Sequence, residues 1–285
     1  MRRVAFFLLA GLLGIVPVAC GGSGDNAAAT AGGQTSGAGA KSTIVQAASR
    51  TAASSSARFS FTASLSGGAV EGSWSGEGAF AGAKGRMLLD LSGLGTGAGA
   101  FAGGKTEVVT DGLVAYVKVP PSLVQALPQK KAWLKLDLAK LGEAQGIDLA
   151  QLMQFNQSNP NGVLRYLRGA TEDFEAVGEE DVRGVETTHY RGTIDLRAVA
   201  SHAPPAARKS YERIIEISGM SHIPMEAWID DDGLARRLRY EQPLGHGQGK
   251  VALTMELYDF GVEVAVRIPP EQQALDLMEL IGGTR

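Results

Sequence analysis

Apolar and polar residues alternate along most of the chain after residue 56, which is the pattern of β-strands with one buried face. In RFSFTASLSG the large side chains Phe59, Phe61 and Leu65 stand between small or polar neighbours, and GRMLLDLSG continues the alternation with Leu89 and Leu91. The same period recurs in four later stretches: TEVVTDGLVAYVKVP, KAWLKLDL, DFEAVGEEDVRGVETTHYRGTIDL and KVALTMELYDFGVEV. These segments predict an antiparallel sheet.

Helical spacing interrupts the strands at a few places. Residues 42–56 predict a short helix, IDLAQLMQFN predicts a second from residue 147, Pro160 can open a third, and 205–217 predict another. A sheet of roughly nine to eleven strands must curl, and its apolar face needs a cover. The predicted fold is therefore α+β, a curved antiparallel half-barrel with helices covering its concave face.

The segment 224–241 predicts one hairpin in detail. A two-residue turn at Asp232-Gly233 places Glu226 opposite Arg239 and Trp228 opposite Arg237. The same register pairs Ala227 with Leu238 and Met225 with Tyr240. One face of the hairpin is then polar and the other apolar.

The N-terminus has the pattern of an export signal. Arg2 and Arg3 precede an apolar run over 4–16, which is too short to span a bilayer of roughly 30 Å. Cys20 follows Ala19, which indicates a bacterial lipoprotein signal in which the thiol is lipidated; an ordinary signal peptide with an incidental cysteine is the alternative. We expect a signal peptide over 1–19, a lipidated Cys20 with a flexible tether over 20–41, and a single domain over 42–285. The diacylglyceryl-cysteine would anchor the exported chain to the outer face of the cell membrane.

Composition narrows the class of protein. Charged residues make up 20% and hydrophobic residues 44% of the chain, as in a globular protein. The formal net charge of −3 argues against nucleic acid as a partner. Since Cys20 is the single cysteine, no disulfide can form within the chain.

Candidate catalytic and metal motifs are weak. The stretch Gly72–Gly76 has the outline of a serine-hydrolase elbow but carries Trp74 at its centre, where the nucleophile belongs. Asp230–Gly233 lacks the ligand spacing of a calcium loop, and a hairpin turn explains it better. The histidines lie 13 to 24 residues apart and form no ligand pair; they are His189, His202, His222 and His246. We therefore expect no enzyme activity, no metal and no cofactor.

The apolar positions of the strands are the remaining candidate site. They line either an ordinary core or a cavity for acyl chains, and the pattern alone does not choose between the two. The candidate residues are Phe59, Phe61, Leu65, Leu89, Leu91, Leu134, Leu136, Leu238, Met255 and Leu257.

The C-terminal strands carry a resemblance. The hairpin W-x-D-x-D-G-L-x-R-R over 228–237, the strand ending Tyr258-Asp259-Phe260-Gly261 and the Pro269-Pro270 exit resemble the LppX/LprA/LprF/LprG family of actinobacterial envelope lipoproteins. That family is related in fold to the LolA and LolB carriers, and the resemblance covers 42–275. Residues 92–104 depart from it in being rich in glycine.

The resemblance implies a non-catalytic function. Members of this family hold acylated lipids between sheet and helices, so the chain would bind lipid or glycolipid acyl chains and move them within the envelope. Two alternatives stay open. One is a sensor of the RseB type that binds an envelope protein partner, and the other is a structural lipoprotein with a packed core.

Overall fold

The structure is a computed structural model that describes residues 37–68, 71–94, 104–125, 127, 129–152, 171–243 and 249–278. The expected signal peptide and Cys20 lie outside the described residues. So do most of the helical interlude predicted after residue 152, and His246.

Twelve strands form one sheet. The strands are β1 (Ser56–Ser66), β2 (Gly72–Ala81), β3 (Lys84–Asp90), β4 (Lys105–Asp111), β5 (Val114–Lys118), β6 (Trp133–Asp137), β7 (Thr171–Val182), β8 (Val185–Asp195), β9 (His222–Asp230), β10 (Ala235–Pro243), β11 (Lys250–Tyr258) and β12 (Ala274–Asp276). The described helices are α1 (Gly37–Ala53), α2 (Pro121–Val124), α3 (Leu138–Glu143), α4 (Leu196–His202) and α5 (Pro205–Ser218), with a 3₁₀ turn at Glu271–Gln273. No helix in the described part of the chain is long and apolar enough to cross a bilayer.

The strands run in the order β12-β6-β5-β4-β3-β2-β1-β11-β10-β9-β8-β7. The predicted open, helix-covered sheet is confirmed, with twelve strands in place of the nine to eleven expected. Neighbours are antiparallel except β12 and β6, which pair in parallel from Ala274 opposite Trp133. The sheet is therefore mixed, since after β11 the chain returns to its far edge.

Helix α1 covers one end of the sheet. Ala40, Ile44 and Ala47 recur at helical spacing and pack against β7 to β9, where Phe174 and Tyr190 are buried. The helix begins at Gly37, so the last residues assigned to the tether are helical. The side of the sheet that α1 contacts is called the inner face below.

The other end of the inner face carries α3. Leu138 and Leu141 of α3 pack with Ala115 and Leu136 of β5 and β6, and Asp137 caps the helix by accepting from Lys140 N. Leu149 joins this cluster to a second one, formed by residues 147–152 with α5 and with Ala203, which follows α4. Helix α5 runs over the predicted 205–217 and ends at Gly219, whose φ of 70° is left-handed.

The hairpin of β9 and β10 has the predicted register but a different turn. Trp228 lies opposite Arg237 and Glu226 opposite Arg239, as predicted. The loop holds three residues instead of two, because Asp230 N donates to Leu234 O and Gly233 adopts a φ of 73°. A bulge between Ala235 and Arg237 absorbs the extra residue and restores the register.

Candidate functional site

The inner face is apolar across the middle of the sheet. Cross-strand pairing fixes this, because residues directly opposite each other point to the same side. Phe59 pairs with Leu257 and Phe61 with Met255 between β1 and β11. On the other side of β1, Ala63 pairs with Trp74 of β2. Alternate residues of each strand therefore build one continuous apolar surface between the α1 and α3 ends.

The residues predicted to line a cavity fall on this face, and the structure divides them among three clusters. Leu134 and Leu136 lie in the cluster of α3, and Leu238 packs in the cluster of α1. The other seven meet in one group, called the central cluster: Phe59, Phe61, Leu65, Leu89, Leu91, Met255 and Leu257. The alternation in the sequence therefore identified residues of the inner face, but it did not predict that they divide among three clusters.

The central cluster also contains residues that the sequence analysis did not select. They are Ala57, Ala63, Trp74, Phe80, Met87, Leu94, Val108, Val251 and Leu253, with Val117, Tyr240 and Phe260 packed at its margin. In β2, GSWSGEGAFA, three of the five inward positions are glycines, so the alternation of large side chains is lost. Counting outward from Trp74 in steps of two would have found Phe80.

Glycines in β2 let aromatic rings lie against the sheet. Phe61 lies opposite Gly76, and a Cβ placed on that glycine would come within 2.8 Å of Phe61 Cζ and 3.0 Å of Leu89 Cδ2. The same arrangement recurs near α1, where a Cβ on Gly192 would lie 2.5 Å from Cγ of Phe174. The rings occupy the space that side chains on these glycines would need.

Two residues of the central cluster, Trp74 and Tyr240, carry a side-chain nitrogen or oxygen. Trp74 is 4% exposed, and among the described residues its Nε1 is the one buried side-chain nitrogen or oxygen that has no hydrogen-bond partner. Tyr240 of β10 packs at the margin of the same cluster, and burial raises the pKa of its phenol. An unpaired buried donor costs about 1–3 kcal/mol.

Pockets lined by described residues open on other surfaces. One of about 420 Å³ lies on the opposite, outer face and is lined mainly by polar residues such as Ser60, Thr62 and Asp90, together with Phe61. Another of about 590 Å³ lies between Asp148 and α5. These pockets do not enclose the central cluster, whose members are in contact with one another.

The outer face of β7 to β11 carries a network of ion pairs. Glu256 accepts from Arg183 Nε at 2.6 Å and from Arg237 Nη2 at 2.9 Å. Arg237 Nη1 also donates to Glu180 Oε1 at 2.8 Å. Burial raises the pKa of the Glu256 carboxyl, but the two arginines outweigh it and hold the pKa below its ordinary value. The hydrogen bond from Trp228, followed by that from Arg237, lowers the pKa of Glu180.

The residues of the candidate catalytic and metal motifs lie in regular strands or contact other side chains. Ser73 and Ser75 lie within the regular strand β2, with no elbow at Trp74. His189 stacks on Trp228 with ring centroids 4.1 Å apart, and its Nε2 is 2.8 Å from Glu226 Oε2.

The acidic turn is also occupied by protein contacts. The carboxylate of Asp230 accepts from Leu234 N at 2.8 Å and from Arg236 Nε. Among the residues that the structure describes, no group of three or more histidine, cysteine, aspartate or glutamate side chains is placed to hold a metal ion.

Two curated Streptomyces proteins are similar to this chain in sequence. The chain is 29% identical over 157 residues to an uncharacterized 31.2 kDa protein of Streptomyces griseus, which covers 53% of this chain and 50% of that protein. It is 27% identical over 154 residues to a protein of Streptomyces coelicolor, covering 53% and 44%. The match thus spans about half the length of these curated relatives.

Solved structures with a similar arrangement include two mycobacterial lipoproteins. LppX of Mycobacterium tuberculosis has a TM-score of 0.47 and 15% identity, over 80% of this chain and 98% of its own. LprF of Mycobacterium bovis has a TM-score of 0.45 and 16% identity, over 80% and 96%. The sequence profile of the LppX_LprAFG lipoprotein family matches residues 114–266. This match covers more than half of the chain's 285 residues, and the chain therefore belongs to the LppX_LprAFG lipoprotein family.

Proposed function

We propose that this chain is an exported, membrane-anchored lipoprotein that binds acyl chains of lipids or lipidated molecules on the inner face of its sheet and transfers them within the cell envelope, without catalysis. The observation that carries this proposal is the apolar inner face, which continues across the middle strands between the α1 and α3 ends. Family membership supports the lipoprotein part of the proposal.

The inner face suits a flexible apolar ligand. Each methylene group buried contributes about 0.8 kcal/mol, so an acyl chain gains free energy in proportion to the length it buries. Met87 and Met255 supply unbranched side chains that can adapt to different chains. The central cluster lies between the two ends of the sheet that α1 and α3 cover.

A native extraction tests the proposal. The full chain carrying Cys20→Ser would be purified without detergent, and its non-covalent apolar molecules would be extracted and weighed by mass spectrometry. We expect about one lipid for each protein molecule, because the inner face would hold it through purification. Protein that carries no lipid and takes up none that is added would overturn the proposal and favour a packed core or a protein-binding sensor.

Two substitutions on β11 test which face of the sheet binds the lipid. Met255 lies on the inner face and its neighbour Thr254 on the outer face, and both are half-buried. Met255→Lys puts a charge on the apolar surface and should remove most of the co-purifying lipid, whereas Thr254→Lys should leave it unchanged. Equal loss in both variants would place the lipid elsewhere.

A further inference from the structure

The unpaired indole of Trp74 points to a ligand with a hydrogen-bond acceptor. Buried polar groups in folded proteins are nearly always hydrogen-bonded, so a buried N–H without a partner needs an explanation. Trp74 Nε1 is such a group in the central cluster. An indole is a donor only, and its partner must therefore be an acceptor such as a carbonyl oxygen.

Trp74 lies at one end of a row of paired residues on the inner face. It pairs with Ala63, which pairs with Leu253, which in turn pairs with Tyr240, so these four residues form one row across β2, β1, β11 and β10. Trp74 and Tyr240 stand about three strand spacings, or roughly 14 Å, apart at the ends of this row. Two side chains with polar atoms thus flank apolar residues at one level of the sheet.

This level lies near one end of the central strands. Trp74 is two residues from the start of β2, and Ala63 is three from the end of β1. From there the inner positions Phe61 and Phe59 continue along β1 toward its other end. An acyl chain lying along these rings would have its esterified end beside Trp74.

We propose that Trp74 Nε1–H donates a hydrogen bond to an ester carbonyl of the bound lipid, so that the site selects ester-linked acyl chains over ether-linked alkyl chains. This inference rests on the proposed lipid-binding function. An ether-linked lipid has the same apolar length but no carbonyl, and its ether oxygen lies at a different position and is a weaker acceptor for the indole N–H.

The test compares two matched lipids, dipalmitoyl phosphatidylglycerol and its dihexadecyl ether analogue, on the full chain with Cys20→Ser. Competition against a fluorescent acyl probe gives the Kd of each. The proposal expects the diester to bind about 10-fold more tightly. Trp74→Phe keeps an aromatic side chain but removes the indole N–H, and it should abolish this preference by weakening the binding of the diester while leaving that of the diether unchanged.

Trp228→Phe is the matched control. Trp228 lies on the outer face, and its Nε1 already donates to Glu180 Oε2 at 2.8 Å. Its replacement should therefore preserve the diester preference. Equal binding of both lipids to the unsubstituted site, or a preference that survives Trp74→Phe, would overturn the role of Trp74 while lipid binding stands. Failure of both lipids to bind would overturn the proposed function itself.

A spectroscopic measurement covers the case in which Trp74→Phe does not fold. The chain has three tryptophans, so its indole N–H groups give three signals in a ¹H–¹⁵N spectrum. Trp133→Phe and Trp228→Phe identify the Trp74 signal by elimination. We expect this signal to move downfield with the diester but not with the diether, and an identical response to both would contradict the proposal.

Discussion

Arg237 lies directly opposite Trp228 across the β9–β10 hairpin, with its guanidinium carbon 5.2 Å from the centre of the indole ring. Both side chains bind the same carboxylate, since Arg237 Nη1 donates to Glu180 Oε1 and Trp228 Nε1 to Glu180 Oε2. Arg237 also binds Glu256. A pair predicted from sequence thus stands at the centre of the outer ion-pair network.

Replacing Glu256 by glutamine should destabilise the protein in a pH-dependent way. The carboxylate is 21% exposed and accepts from two arginines, so we expect a loss of about 2 kcal/mol in the free energy of unfolding at pH 7. Its folded pKa lies below the ordinary value of 4.5. The stabilisation is therefore present above pH 4.5 and disappears as the pH falls through the folded pKa.

Urea unfolding at pH 7 and in acid checks this expectation. Glu179→Gln is the control, because Glu179 is exposed on β7, and it should change stability by less than about 0.5 kcal/mol. A difference between wild type and Glu256→Gln that stays constant into acid would contradict the charge-based explanation.

The stability of the β9–β10 hairpin tip should depend on Asp230 and not on its neighbour Asp231. Asp230 is buried and binds both Arg236 and Leu234 N, so Asp230→Asn should cost about 2–3 kcal/mol by leaving the arginine without its carboxylate. Asp231 is exposed, and Asp231→Asn should be nearly neutral. Thermal unfolding of the two variants tests this prediction. Similar melting temperatures would show that the buried pair of Asp230 and Arg236 contributes little to stability.

Close approach of Phe174 to Gly192 should make these two positions interdependent. Gly192→Ala forces a methyl group against the ring and should cost about 1–3 kcal/mol. Phe174→Leu makes room for that methyl group, so the double variant should be less destabilised than the sum of the single variants. A double-mutant cycle by urea unfolding measures this coupling, and strict additivity would argue against the contact.

Anchoring of the chain should depend on Cys20. Cys20→Ser removes the thiol that lipidation requires, so the protein should move from the membrane fraction to the soluble fraction. Immunoblotting of the two fractions is the measurement. If the variant remains with the membrane, then an uncleaved apolar segment or the domain itself holds it there.

Local pattern predicted the strands because each has one buried and one less buried side. It also predicted the register of β9 and β10, since that alignment places Glu226 opposite Arg239 and Ala227 opposite Leu238. The turn was wrong by one residue. A bulge at Arg236 offsets the longer loop, and that compensation depends on contacts of Asp230 and Leu234 that the pattern does not contain.

Two other features lack a local signal. The sequence GAGA before residue 41 has the composition of a tether, yet it starts α1, because Ala40 packs against the buried end of the sheet. β12 is three residues long and pairs with β6, which is distant in sequence. Such contacts form only when the whole sheet is assembled.

The sequence by itself determined the large apolar side chains of the inner face in most strands, because alternation assigns every second side chain to one side of a strand. In β2 glycines occupy several of these positions, and there the pattern did not identify the face. Only the tertiary structure decided how that face is divided and where its unpaired donor lies. Trp74 stands between serines and glycines in β2, where no neighbour in sequence indicates its surroundings. Its burial follows from the residues of the central cluster that other strands, β1 among them, bring together with it.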